Sequence, residues 1–123
     1  VRLEWIFGLF PAIKKFWLHP AGKLSGGQKQ MLAVSRAIVE PRKLLLIDEP
    51  SEGLAPVIIE ALMHAIRRLL EAATVLLVEQ NFRMASRLAD RYVIIDDGAS
   101  VQSGMMADLV NDEATIQRYL GAA

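Results

Sequence analysis

The feature that most constrains this chain is an unbroken apolar run, Leu44-Leu45-Leu46-Ile47, closed by Asp48-Glu49-Pro50. A short apolar run without alternation is the pattern of a parallel strand covered on both faces. Open α/β sheets bind ligands at the carboxyl ends of such strands, where Asp48 and Glu49 fall. Successive strand residues point opposite ways, so the two acids can take different tasks, one facing a cation and one a water. The alternative for an isolated acidic pair is a solvated strand end.

Upstream, Leu24-Ser25-Gly26-Gly27-Gln28 opens a helix. Ser25 is a natural N-cap, and Ser25 with Gln28 makes a capping box. Gly26 and Gly27 free the backbone to expose N–H groups, and such a helix start attracts phosphate oxygens. A plain capped helix is the alternative, but paired glycines cost helix stability that capping does not require. Met31, Val34 and Ile38 share one face of this helix, which is expected to run to about Glu40 before Pro41 stops it. The stretch 24–50 thus presents a phosphate-type helix start followed by an acidic strand end.

The rest continues the alternation of helix and strand. Leu3, Ile6, Phe7 and Phe10 are spaced as a helix, Pro11 punctuates, and 12–18 continues with Ile13, Phe16 and Trp17 on one side. This aromatic segment reads as a helix pair packed on the body, or as a docking face for another protein. Val57 to Ala72 is an amphipathic helix with His64 at its surface or flank. Thr74 to Val78 is a second buried strand, and Asn81 caps a helix to Ala89. Tyr92 to Ile95 is a third strand, and Asp97-Gly98 marks a hairpin returning through 99–102, with Gly104 closing it. Helices over 105–110 and 112–120 finish the chain, with Met105 and Met106 read as packing residues. Strand, helix, strand, helix, strand implies a parallel sheet with helical cover, an α/β class.

Composition narrows the function. The 123 residues are 53% hydrophobic and 23% charged, which excludes a disordered tail. Lys plus Arg and Asp plus Glu number 14 each, so no overall field favours nucleic acid. No cysteine is present, which rules out disulfides and thiolate metal sites. Lone His19 has no second ligand at metal spacing. No apolar run approaches the ~20 residues that span a bilayer, and no signal-peptide pattern is visible. The sequence opens on Val1 inside a helical pattern and is expected to be part of a longer polypeptide.

The two motifs, in this order and at this separation, resemble the signature motif and Walker B strand of an ABC transporter ATP-binding subunit. The resemblance covers essentially the whole chain, as the carboxyl-terminal half of such a subunit with a P-loop NTPase fold. It is nearest to importers of branched-chain amino acids or of related amides such as urea, through Leu9-Phe10-Pro11, Gln30-Met31-Leu32-Ala33, Gly53-Leu54-Ala55-Pro56 and Val78-Glu79-Gln80-Asn81. It implies that 1–40 is part of the helical subdomain with the signature helix. Residues 41–123 would be the carboxyl-terminal part of the ATPase core.

The resemblance also implies roles. Asp48 would hold Mg²⁺, usually through water, and Glu49 would polarise the attacking water. Ser25, Gly26, Gly27 and Gln28 would clamp the γ-phosphate of ATP bound to a partner subunit. Gln80 stands where a histidine usually contacts that phosphate, and can donate a hydrogen bond without carrying charge. Ala55 stands where an aspartate usually makes a cross-subunit contact. The implied activity is ATP hydrolysis, with ATP and Mg²⁺ as cofactors. The implied partners are a second ATP-binding subunit, identical or not, and transmembrane permease subunits at the cytoplasmic face of the membrane, without nucleic acid. Residues 1–18 would touch the permease.

The sequence contains no Gly-x-x-x-x-Gly-Lys-Ser/Thr, so the phosphate cradle and its lysine are not in it. These 123 residues alone are expected neither to bind ATP tightly nor to turn it over, and to self-associate through uncovered apolar surface. Two other readings stay open: a non-transport ABC ATPase of DNA repair or the ribosome, and an inactive interaction module. The first usually carries coiled-coil insertions, and no heptad run is present.

Overall fold

The computed structural model describes residues 2–121. They form two compact units, 2–78 and 79–121.

In the first unit, helices α1 (Arg2–Leu9) and α2 (Pro11–Lys15) meet at Phe10, which is buried at 1% exposure. Pro11 sits at the first helical position of α2, where its fixed φ suits the helix and no N–H is missed. A short 3₁₀ turn, Ala21–Lys23, leads to α3 (Gly26–Ile38). Met31, Val34 and Ile38 are its buried face, as the spacing requires, and buried Ser35 Oγ donates to the Met31 carbonyl at 2.7 Å. Arg2 Nε donates to the Ile38 carbonyl at 2.7 Å, so a cation closes the carboxyl end of α3 where the helix dipole favours one. The same guanidinium lies 4.1 Å from the Trp5 ring centre.

Strand β1 (Leu44–Asp48) pairs in parallel with β2 (Thr74–Val78), from Leu44 opposite Thr74 to Asp48 opposite Val78. Helix α4 (Pro56–Leu70) joins them, making the β-α-β crossover that parallel pairing demands. Its buried stripe, Leu62, Met63, Ala65, Ile66 and Leu69, is the centre of the core, and His64 on the same helix is exposed.

The strands are not covered on both faces, as a continuous apolar run suggests. Leu46 is 71% exposed and Leu76 58%, with Leu44 and Val78 on the same open face, whereas Leu45 is buried. Leu45 on the other face is covered, and α4 packs against β2.

The second unit holds α5 (Phe82–Leu88), β3 (Arg91–Asp96), β4 (Ala99–Met105), α6 (Met106–Leu109) and α7 (Glu113–Tyr119). The hairpin forms as its turn predicts, with β3 antiparallel to β4; what differs from expectation is that β3 lies in a sheet with β4 alone and not in the parallel one. Asp97 and Gly98, at φ 48° and 76°, make the tight turn their residue types predict. Val101 is left out of register between Ile94–Gln102 and Ile95–Ser100, a bulge that the sequence does not advertise. The returning strand is accordingly longer than 99–102, and Gly104 lies within it opposite Tyr92 rather than closing it. Ile94, Met106 and Leu109 form the core here, with Phe82, Tyr92, Ile116 and Tyr119 against it. Of the two adjacent methionines, Met106 packs and Met105 is half exposed.

A chain of polar contacts closes this unit. Gln102 Nε2 donates to the Tyr92 hydroxyl at 2.8 Å, and Asp112 caps α7 by accepting from the Thr115 hydroxyl at 2.6 Å and the Thr115 N–H at 3.1 Å. The two Thr115 bonds hold the Asp112 carboxyl below its ordinary value. Such a depressed group contributes stability that is present at neutral pH and is lost as pH falls through its folded-state pKa. Acid titration followed by NMR is therefore expected to fray α7 below the ordinary aspartate range, about pH 3.9. Asp112→Ala should remove that step, and an unchanged titration of the α7 amides in this variant would refute the assignment.

Candidate functional site

The helix start forms as the sequence predicts. Ser25 is the N-cap of α3 in extended conformation, with φ −64° and ψ 165°. Its Oγ accepts the Gln28 N–H at 3.2 Å, and its own N–H donates to Gln28 Oε1 at 3.0 Å. Both halves of the capping box are therefore made. Ser25 and Gly26 are exposed, Gln28 half-buried and Gly27 buried. The exposed part of the start presents a hydroxyl and the amino-terminal dipole to solvent, a combination that suits an anion.

Gly27 has a reason that sequence reasoning missed. A Cβ placed on it would lie 2.6 Å from Ile58 Cγ2, closer than carbon atoms approach. One of the two glycines is therefore required by packing inside the chain, whatever lies outside it.

Asp48 is exposed at the last position of β1, opposite Val78. Glu49 follows, half-buried, with its N–H donating to the Val78 carbonyl at 2.7 Å. Its φ is +46°, a left-handed conformation that a glutamate adopts at a cost of about 1–2 kcal/mol. Strained residues of this kind cluster at functional sites, and no sequence signal announces it. The turn holding it is closed by Glu52 N–H to the Glu49 carbonyl and Leu54 N–H to the Ser51 carbonyl, over buried Pro50 and Ser51.

An open groove of about 250 Å³ lies between α3 and β1. Its walls include Gln30, Val34 and Ala37 of α3 and Leu46 and Asp48 of β1. The signature-type helix and the acidic strand thus line one groove.

Gln80 belongs to the second unit and is exposed. The preceding Glu79 folds its carboxylate onto the backbone, accepting from the N–H groups of Gln80 at 3.0 Å and Asn81 at 3.1 Å. Asn81 in turn caps α5 through Met84 N–H at 3.0 Å. This leaves the Gln80 backbone held by its neighbour.

Among the described residues no group of three or more His, Asp and Glu could hold a metal ion by itself. Magnesium in nucleotide sites takes one or two carboxylates and completes its shell with water and phosphate oxygens. Exposed Asp48, with Glu49 next to it, fits that partial donor set and not a closed protein cage.

The fold so described is that of about half of an ATP-binding cassette. A solved ATP-binding cassette of an ABC transporter superposes with a TM-score of 0.76 at 24% identity, covering 97% of this chain and 50% of that one. A dimeric cassette in a post-hydrolysis state with ADP and Pi superposes at 0.74 over 85% of this chain. In sequence, residues 7–52 match the ABC transporter family. A high-affinity branched-chain amino acid transport ATP-binding protein, BraG of Pseudomonas aeruginosa, is 43% identical over 122 residues, 98% of this chain and 52% of its own length. A probable branched-chain amino acid transport ATP-binding protein of Archaeoglobus fulgidus, LivF, is 33% identical over 91% of this chain and 48% of its own. A phosphate import ATP-binding protein of Mycobacterium tuberculosis, PstB 2, is 34% identical over 92% and 42%. Residues 7–52 thus carry a segment of the ABC transporter family, and nearly the whole chain is similar to ATP-binding proteins of such transporters. It spans about half the length of the curated relatives it matches.

Proposed function

We propose that the chain is the signature-bearing part of the ATP-hydrolysing subunit of an importer for branched-chain amino acids. The observation that carries this reading is the made capping box at 25–28 and the acidic end of β1, built into one unit and sharing α3 and β1 as walls. Identity to the BraG and LivF relatives supports the substrate class, and a phosphate importer is the runner-up through PstB 2.

In this reading Ser25 Oγ, Gln28 and the backbone N–H groups of Gly26 and Gly27 grip the γ-phosphate of ATP carried by a second ATP-binding subunit. Gln28 holds Ser25 in place through the box. Asp48 supplies a carboxylate to nucleotide-borne Mg²⁺, and Glu49 orients and polarises the attacking water. Gln80 donates an uncharged hydrogen bond to the phosphate. Residues 1–40 belong to the helical subdomain facing the permease, and 41–123 to the ATPase core. The subunit lies peripherally on the cytoplasmic face of the membrane; among the described residues no helix is long and apolar enough to cross it.

The test is a chimera in which these residues replace the matching part of the Pseudomonas relative. The expected result is Mg²⁺-dependent ATP hydrolysis and restored leucine uptake in a strain lacking that relative, with both absent when the 123-residue chain is supplied alone. A well-folded chimera without ATPase would overturn the reading. ATPase with phosphate uptake and no leucine uptake would favour the runner-up.

A further inference from the structure

The start of α3 does not stand free; it rests on the segment that leaves Glu49. Gly26 faces Leu54, whose Cδ2 would be 3.9 Å from an added Cβ, and Gly27 faces Ile58 at 2.6 Å. Leu54 lies in the loop after Glu49, and Ile58 lies in the first turn of α4, bonded through its N–H to the Ala55 carbonyl at 3.0 Å. The amino end of α4 has no side-chain cap, so its place is set by Pro56 and by packing. Ile58 is β-branched and on a helix, where one rotamer dominates, so Cγ2 is a rigid stop and not the end of a flexible arm.

We propose that Ile58, with Leu54 beside it, is the positioning residue for the phosphate-gripping helix start. Its Cγ2 methyl sets the height of the Gly26–Gln28 backbone and ties it to the loop that begins at Glu49. This rests on the reading of Ser25–Gln28 as a phosphate grip. It adds that the grip and the water-activating acid move together within one subunit, through a contact that requires glycine at 27. A displacement of the Glu49 loop carries α4's first turn, and with it the N–H groups of the start.

The test uses the folded chimera without nucleotide and reads stability and hydrogen exchange, not ATP turnover, so its failure is distinguishable from failure of the ATPase reading. Gly27→Ala is expected to lower Tm by about 5 °C or more, the ordinary effect of overpacking. Adding Ile58→Ala, which removes Cγ2, should restore most of that loss. Adding Ile58→Val, which keeps the methyl, should restore little. Ile58→Ala alone should raise hydrogen exchange about tenfold at the Gln28 and Lys29 amides, which bond to Ser25, while the amides of 34–38 keep their protection. Any of three results would overturn the proposal: Gly27→Ala as stable as the parent, equal rescue by valine and alanine, or exchange raised evenly along α3 or not at all. The exchange measurement on Ile58→Ala decides the matter even where Gly27→Ala does not fold.

Discussion

Phe10→Ala is expected to lower the unfolding free energy by about 3–5 kcal/mol, the range for deleting a buried aromatic ring. Phe10 is 1% exposed and occupies the corner between α1 and α2, preceding a proline. Its N–H donates to the Ile6 carbonyl and its own carbonyl accepts from Ile13 N–H, so the backbone on both sides is already committed and cannot close over a void. Ile6 and Ile13, the partners in those bonds, are also buried, at 2% and 6%. Domains are commonly stable by about 5–15 kcal/mol, so the loss is a large share of the whole. The parallel sheet has an open apolar face, which places this chain at the low end. Urea denaturation of the variant against Trp17→Ala makes the check, since Trp17 is 55% exposed and has less to lose. Equal losses for the two would mean that the α1–α2 corner does not hold the first unit together.

Of the residues that helical spacing groups, Ile6, Phe10 and Ile13 are buried, Phe7 and Phe16 half-buried, and Leu3 and Trp17 exposed, because a 3.6-residue period selects a face without fixing how far the cover extends. It does not tell a covered face from an uncovered one. Leu46 and Leu76 read as core residues on two-sided strands and are largely exposed, because cover depends on which elements surround the sheet and a strand's own pattern cannot supply them. The same limit explains β3, whose apolar run fits a parallel strand equally well. Its partner is chosen by the Asp97-Gly98 turn, which makes the antiparallel neighbour the nearest one available.

At the candidate site, chemistry carried by side-chain type was legible and chemistry carried by backbone was not. Ser25 and Gln28 announce a capping box because their hydrogen bonds are local, and the box is made. Asp48 falls at the carboxyl end of its strand because the apolar run ends there. Gly27 was legible as conformational freedom and is in fact also a matter of space, since Ile58 is thirty-one residues away in sequence and no local rule connects them. The left-handed conformation of Glu49 was invisible for a related reason. It arises where the chain must turn from the end of β1 over buried Pro50 and Ser51 while keeping the bond to Val78, a constraint set by β2.

The conformation of Glu49 yields the second large effect, because side chain and backbone can be separated there. In the chimera, Glu49→Gln is expected to lower ATP turnover by about 10²–10⁴-fold, the loss that follows when a positioned general base can no longer accept a proton. The amide is nearly isosteric, so Tm should hold. Glu49→Ala and Glu49→Gly should lower turnover as much, since both remove the carboxylate, but their stabilities should diverge in an unusual direction. Alanine keeps the Cβ that a φ of +46° brings against the following carbonyl, and glycine does not. At ordinary positions glycine is the less stable of the two; here it should be the more stable by about 1 kcal/mol. Turnover that survives Glu49→Gln would remove Glu49 from the chemistry. The usual order of alanine above glycine would remove the strain, and with it the reason to regard the turn after β1 as shaped for catalysis rather than for folding.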